Sequence, residues 1–178
     1  MFQIFRTRVA IHEGDPVGAA TEGLVIPAND HLWMGAGPAM KLKQAGGEAI
    51  EVEAVRQGPV ALGQAVPTAA GSLGYRRIYH AVVMGQDLRV RTEQIRPALA
   101  SALQQASREK LVSLGIAPLE SEEMTGPFRQ TSREIVAALF ELLSEPTTLK
   151  EVWLLTQKPE ARQAYREAFL EVLGHGGA

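Results

Sequence analysis

Short apolar segments alternate with segments of helical periodicity along the chain, and this alternation limits the fold more than any other feature. Apolar runs typical of buried strands occur at Gly23–Pro27, Arg77–Met84, Leu114–Leu119 and Val152–Thr156. Each run is followed by turn residues and then by apolar side chains three or four positions apart. We therefore predict a three-layer α/β/α sandwich around a mixed, mainly parallel sheet of about six strands.

The same patterns predict the remaining elements. Two further strands are predicted at Phe2–Ile11 and Gln64–Thr68. Helices are predicted at Pro38–Ala45, Glu48–Gln57 and Thr92–Val112, with two more opening near Thr131 and Pro159. Thr131 and Glu134 form a capping box, which predicts a helix start at that point. Pro97 is compatible with its helix only if it lies in the first turn.

Composition places the chain among ordinary globular proteins. Of the 178 residues, 46% are hydrophobic and 21% are charged, and the net charge is −2. We therefore predict a single domain over residues 1–178 and do not expect nucleic acid to be a ligand. No apolar run is long enough to cross a membrane. The absence of cysteine excludes disulfides and thiol catalysis, and we expect a cytoplasmic protein.

The stretch from Gly23 to Gly47 joins a buried strand to a helix through a glycine-spaced turn. Asn29, the only asparagine in the chain, ends the strand, and Gly35–Gly37 precede the helix. Glycines and an open helix N-terminus let backbone N–H groups approach an anion, and Lys41 and Lys43 add positive charge. A tight structural turn capped by asparagine explains the same residues without a ligand. The pattern matches neither the dinucleotide fingerprint nor the Walker loop.

An ordered set of motifs over nearly the whole chain carries a resemblance to a known family. The motifs EGDP, VIPAN, GAGP and AGG follow one another between residues 13 and 47, and GQAVPTAAGSLGYRRIYHAVV spans residues 63–83. The segments LGIAPLESEEMTGPF and VWLLTQKPEARQAYREAF complete the set. In this order the motifs resemble those of the macrodomains, which are modules that bind ADP-ribose.

The resemblance implies roles for individual residues. Asp15 and Pro16 would face the adenine, with Asp15 accepting a hydrogen bond from the adenine amino group. Ala28 and Asn29 would lie at the distal ribose, where Asn29 binds hydroxyls and, in enzymatic members, helps to position the attacking water. Two loops would surround the diphosphate, and their residues are Gly35, Ala36, Gly37 and Pro38, and then Ser121, Glu122, Glu123, Met124, Thr125 and Gly126.

The chain also departs from the family pattern at positions that bear on binding and catalysis. Pro16 has no backbone N–H to donate to the adenine ring, and Thr156 stands where an aromatic residue often stacks on it. Ala39 occupies the position of the family's catalytic aspartate, so a water-orienting carboxylate is missing there. Glu122 and Glu123 replace Thr-Gly and would repel a diphosphate unless they turn outward or bind a cation.

Three functions are compatible with these residues. The first is a binding module for ADP-ribose or a related nucleotide derivative, with ADP-ribosylated protein as a further partner. The second is a hydrolase that removes ADP-ribose from proteins or small metabolites, with Asn29 as the catalytic candidate. The third is a degenerate macrodomain with an RNA-associated or structural role. We predict the first, without a cofactor or a metal site, and we interpret His80 as a structural histidine. The oligomeric state stays open.

Overall fold

Strands and helices alternate in the computed structural model, which describes residues 1–119 and 128–175. The strands are β1 Phe2–Ile4, β2 Thr7–Glu13, β3 Gly23–Asn29, β4 Ala65–Thr68, β5 Arg77–Met84, β6 Ser113–Ile116 and β7 Glu151–Thr156. The helices are α1 Gly37–Gly46, α2 Ala49–Val55, α3 Thr92–Arg108, α4 Phe128–Leu142 and α5 Pro159–His175. Within these two ranges, no helix has both the length and the apolar character needed to cross a bilayer.

The described strands form one mixed sheet in the order β1-β2-β7-β6-β3-β5-β4. The five inner strands run parallel, whereas β1 pairs antiparallel with β2 and β4 pairs antiparallel with β5. Strand β3 lies between β6 and β5, and all seven of its residues are buried. A strand covered on both faces explains why its sequence reads as a continuous apolar run.

Helices cover both faces of the sheet, which confirms the predicted three-layer sandwich. Side chains from α1 and α2 pack in one core cluster with Leu24 and Ile26 of β3. Side chains from α3, α4 and α5 pack in a second cluster with Val25 of the same strand. The alternation of β3 side chains between the two clusters follows from the two-residue period of a strand.

The sheet has one more strand than expected because the predicted strand Phe2–Ile11 is a hairpin. Its chain reverses at Phe5, whose φ of 49° lies in the left-handed region, so that Ile4 pairs with Thr7. A phenylalanine at such a position is uncommon, and neither glycine nor asparagine marks the turn. The sequence pattern therefore predicts one continuous strand at a point where the chain turns.

Two predicted helix boundaries are wrong, and one proline lies deeper in its helix than expected. Helix α3 ends at Arg108 rather than at residue 112, and Lys110 has a φ of 57°. Pro97 lies in the second turn of α3, where it removes one helical hydrogen bond near the helix start. Helix α4 already contains Phe128, so Thr131 is buried inside the helix instead of capping it.

His80 is a structural histidine within β5, as the sequence predicts. Its ring is buried, and its Nε2 atom lies 2.9 Å from the hydroxyl of Thr68 on β4. Burial lowers the pKa of His80 from 6.5 to about 4, because the charged ring would lose its hydration. The folded protein therefore contains neutral His80 at neutral pH.

We expect this histidine to make the fold sensitive to acid. Because the pKa is lower in the folded state, its contribution is complete above the unfolded pKa of 6.5 and is lost as the pH falls towards 4. The loss between about pH 7 and about pH 5 should be about 2 kcal/mol in the free energy of unfolding. Urea unfolding of the wild type and of His80→Gln at several pH values measures the difference. The exposed His31, changed to Gln, is the control, and an unchanged pH dependence in His80→Gln would contradict the assignment.

Candidate functional site

A cleft opens at the edge of the sheet where β2, β7 and β6 have their carboxyl ends. Parallel strands bring the residues that follow them to this edge, which is where ligands bind in open α/β sheets. The described lining residues are Asp15, Pro16, Val17, Pro38, Lys41, Pro118, Phe128, Leu155, Thr156, Gln157, Lys158, Ala161 and Tyr165. The cleft thus joins the loop after β2 to the start of α1. Of the predicted residues in the described part of the chain, Asp15, Pro16 and Pro38 line it, whereas Ala28, Asn29 and Gly35–Gly37 are not among its lining residues.

The carboxylate of Asp15 is held from two sides at one end of this cleft. Val17 donates its backbone N–H to Oδ1 at 2.8 Å, and Gly18 donates its N–H to the Asp15 carbonyl oxygen at 3.2 Å. Gln157, directly after β7, donates from Nε2 to Oδ2 at 3.2 Å. Counting partners among residues 1–119 and 128–175, each oxygen keeps a free acceptor site, because a carboxylate oxygen has two lone pairs. Asp15 is therefore a pre-oriented acceptor for a donor group of a ligand.

Aromatic and aliphatic side chains form the walls beside Asp15. Phe128 at the start of α4 and Tyr165 of α5 line the cleft together with Leu155. The Lys158 ammonium lies 5.5 Å from the centroid of the Phe128 ring, within the range of a cation–π contact. Such walls fit the flat apolar faces of a nucleobase.

Phe128, rather than an aromatic residue at the end of β7, supplies this wall. Thr156 is buried, and its hydroxyl accepts a hydrogen bond from the backbone N–H of Lys158 at 3.2 Å. It therefore shapes the turn into α5. Sequence reasoning did not select Phe128, Gln157 or Tyr165 as site residues. The one local signal in the sequence is that Phe128 ends the motif LGIAPLESEEMTGPF.

Asn29 organises the turn that follows β3. Its Oδ1 accepts hydrogen bonds from the backbone N–H groups of His31 at 3.1 Å and Trp33 at 3.2 Å. Its Nδ2 donates to the carbonyl oxygen of Trp33 at 2.9 Å. These bonds use both acceptor sites and one of the two amide hydrogens. Within the described part of the chain, the second amide hydrogen has no acceptor. It is therefore the group of Asn29 that can donate to a ligand hydroxyl.

The glycine turn presents an open helix N-terminus. Ala36 is the N-cap of α1, with an extended backbone and without a side-chain capping bond, and Pro38 follows in the first turn. Gly37 has a φ of 57°, a conformation that glycine adopts without strain. An added Cβ at Gly35 or Gly37 would meet no described atom within 4 Å. Gly35 and Ala36 are exposed, so their backbone N–H groups are accessible to an anion, and the helix dipole favours negative charge there.

The two lysines of α1 have different environments. Lys43 donates to Oε2 of Glu51 at 2.9 Å, and the same carboxylate accepts the Met34 backbone N–H through Oε1 at 2.6 Å. Burial raises the pKa of Glu51, but the hydrogen bonds from Lys43 and Met34 outweigh it and hold the pKa below its usual value. Lys43 therefore braces the turn through Glu51, and its charge is neutralised. Lys41 lines the cleft.

Two predicted positions next to the site have buried side chains. Ala28 packs in a small core cluster with Leu32, Val66 and Val82, so a contact with a ligand would have to come from its backbone. Ala39 is 7% exposed and belongs to the core cluster beneath α1. Position 39, where the resemblance implies an aspartate in enzymatic members, is therefore a core position in this chain.

His31 is held at the surface beyond Asn29. Its Nδ1 lies 3.0 Å from Oδ1 of Asp30, and Gln86 donates from Nε2 to the same oxygen at 2.6 Å. The hydrogen bonds from His31 and Gln86 lower the pKa of Asp30.

The predicted second phosphate loop, Ser121–Gly126, is not among the described residues, so its place at the cleft stays a prediction.

Comparison with known proteins supports the same fold. The family model described as Macro domain matches residues 25–135. An uncharacterized protein of Aeropyrum pernix is 31% identical over 170 residues, which cover 95% of this chain and 89% of that protein. An uncharacterized protein of Aquifex aeolicus is 29% identical and covers 89% of this chain and 96% of its own length.

Solved structures at lower identity show the fold. The Oceanobacillus iheyensis macrodomain with ADP has a TM-score of 0.84 and 19% identity, covering 98% of this chain and 96% of that one. The Trypanosoma brucei macrodomain in complex with ADP-ribose has a TM-score of 0.80 and 18% identity, covering 90% and 68%.

Proposed function

Because the chain belongs to the macrodomain family, we propose that it is a binding module for ADP-ribose or a closely related nucleotide derivative. One observation carries the proposal: a single cleft combines the Asp15 acceptor, apolar walls and the start of α1. These groups match the chemistry of a nucleobase at one end and of a diphosphate further along. The similar macrodomains that were solved with ADP and with ADP-ribose support this choice of ligand.

In this proposal the cleft and the turn between β3 and α1 each recognise one part of the nucleotide. Asp15 accepts a hydrogen bond from the exocyclic amine of the base. The ring of the base packs against Phe128. Gly35, Ala36 and Gly37 offer backbone N–H groups to the diphosphate, and the positive end of the α1 dipole lies beside them. Asn29 donates its remaining amide hydrogen to a hydroxyl of the distal ribose.

Hydrolysis through an aspartate at position 39 is not favoured. Ala39 offers no carboxylate, and its side chain is 7% exposed in the core rather than open to the cleft. A water molecule there would lack a group to orient it or to accept its proton. Binding without turnover therefore fits the described residues better than the hydrolase alternative.

An ADP-ribosylated protein is the second form of ligand that we propose. The distal-ribose end, at Asn29, is followed by Trp33, whose side chain is 55% exposed although its backbone is hydrogen-bonded to Asn29. An exposed indole on a fixed backbone offers a contact surface to the protein that carries the modification.

Calorimetric titration with ADP-ribose, ADP and AMP tests the proposed function. We expect Asp15→Ala to weaken ADP-ribose binding by about ten- to hundredfold, since it removes a hydrogen bond to a charged acceptor. Asp87→Ala, which removes an aspartate paired with Arg91 at 2.7 Å outside the cleft lining, is the control and should bind as the wild type does. A wild-type protein that binds none of the three nucleotides would refute the proposal.

A further inference from the structure

Tyr75 supports the Asp15 loop from a position outside the cleft. Its side chain is buried, and its hydroxyl donates a hydrogen bond to the carbonyl oxygen of Pro16. The same hydroxyl accepts the backbone N–H of Ala19 at 3.1 Å. Among the described residues, Tyr75 borders not the cleft but a neighbouring groove that it shares with Val17 and Ala19. One side chain therefore fixes two points of a loop that is far away in sequence.

We infer that Tyr75 is a positioning residue for the nucleobase end of the cleft, because its hydroxyl fixes the loop that presents the Asp15 carboxylate. This inference rests on the proposed function and deepens it. The loop belongs to no strand or helix, so few backbone hydrogen bonds define its shape. Tyr75 holds the Pro16 peptide on one side, and Gln157 holds Oδ2 of Asp15 on the other.

The environment keeps the Tyr75 hydroxyl in the form that this role requires. Burial raises the pKa of Tyr75, the Ala19 N–H opposes that change, and the negative charge of Asp15 adds to it. The hydroxyl is therefore protonated at neutral pH and can donate to Pro16 while it accepts from Ala19. A phenylalanine keeps the ring packing but leaves both backbone groups without this partner.

Tyr79 provides a matched control within the same protein. It is another fully buried tyrosine, and its hydroxyl has no hydrogen-bond partner within the described residues. Tyr79→Phe therefore removes the same atom from a buried ring without removing a hydrogen bond. An effect that Tyr75→Phe shows and Tyr79→Phe does not is therefore caused by the loss of the two hydrogen bonds to the Asp15 loop.

Two measurements on the purified full chain test the inference. In the ligand-free protein, hydrogen–deuterium exchange of the peptide that spans residues 15–19 should be faster in Tyr75→Phe than in the wild type or in Tyr79→Phe. In titrations, Tyr75→Phe should weaken ADP-ribose and AMP binding by roughly three- to tenfold. Binding of inorganic pyrophosphate, which has no base, should be unchanged.

Each result decides between the alternatives. Unchanged exchange, unchanged AMP affinity, or an equal loss of pyrophosphate affinity would overturn the positioning role. A wild-type protein that binds no adenine nucleotide would refute the proposed function itself and the inference with it. Failure of the inference alone is recognised by a wild type that binds ADP-ribose and a Tyr75→Phe variant that binds it equally well.

Discussion

Replacing Ala39 by aspartate is expected to lower the free energy of unfolding by about 3 kcal/mol or more. Ala39 is 7% exposed and belongs to a core cluster with Leu24, Ile26 and Leu42. A carboxylate at this position loses hydration and gains little from apolar neighbours, so its pKa rises. The destabilisation should therefore be largest at neutral pH and should shrink as the pH falls and the carboxyl group becomes protonated. Urea unfolding at several pH values measures both effects.

Ala36→Asp is the matched control for this prediction. Ala36 is the exposed N-cap of α1, where an aspartate can accept a backbone N–H and interacts favourably with the helix dipole. The same chemical change three positions earlier should therefore leave the stability unchanged or raise it slightly. Equal unfolding midpoints for Ala39→Asp and the wild type would show that position 39 is not a core position. Release of ADP-ribose from a modified protein by Ala39→Asp would show that this position can still serve catalysis.

Gly71→Ala is expected to have a comparably large effect on stability. Gly71 has a φ of 59°, and an added Cβ would lie 2.0 Å from the carbonyl oxygen of Gly46 at the end of α1. That distance is far shorter than any non-bonded contact. The Gly46 oxygen is a backbone atom and the Cβ is fixed to the backbone of residue 71, so no side-chain rotation relieves the clash and the backbone must move. We expect a loss of about 3 kcal/mol or more from the strain and the displaced contacts.

Gly74→Ala separates this clash from a general effect of losing a glycine. Gly74 lies in the same loop, and an added Cβ there would meet no described atom within 4 Å. Chemical denaturation should place Gly74→Ala near the wild type and Gly71→Ala well below it. If the two variants unfold at the same denaturant concentration, the close approach to Gly46 is not a constraint on the fold.

This loop connects the stability of α1 with the geometry of the cleft. Ser72 donates its backbone N–H to the Gly46 carbonyl at 3.0 Å and its hydroxyl to the Ala45 carbonyl at 3.1 Å. The loop therefore satisfies carbonyl groups at the end of α1, and it leads directly to Tyr75. A displacement at Gly71 should therefore also shift the Asp15 loop.

The order of strands and helices could be predicted because its signals are local. Strand β5 matches the predicted range, and α5 begins at the predicted Pro159. The hairpin at Phe5 and the end of α3 near Lys110 could not be predicted, because both use non-glycine residues with positive φ. Tertiary contacts select those conformations, and no residue type in the sequence marks them.

The candidate site was predictable in part. Asp15 lies two residues after β2, Pro38 lies at the start of α1, and both line the cleft, because parallel pairing brings strand ends together. The partners of these residues were not predictable. Lys43 was expected to add charge to the turn before α1, yet Glu51 on the next helix neutralises it. Phe128 lines the cleft from the start of α4, and α4 shares a core cluster with α5.

The sequence by itself determined the three-layer fold, since apolar periodicity and turn residues act between near neighbours. Only the tertiary structure decided which side chains hold the cleft in shape. Tyr75 contacts Pro16 across 59 positions of the chain, and Gln157 contacts Asp15 across 142. Such contacts depend on how the sheet orders its strands, and this order is a property of the whole chain rather than of any local segment.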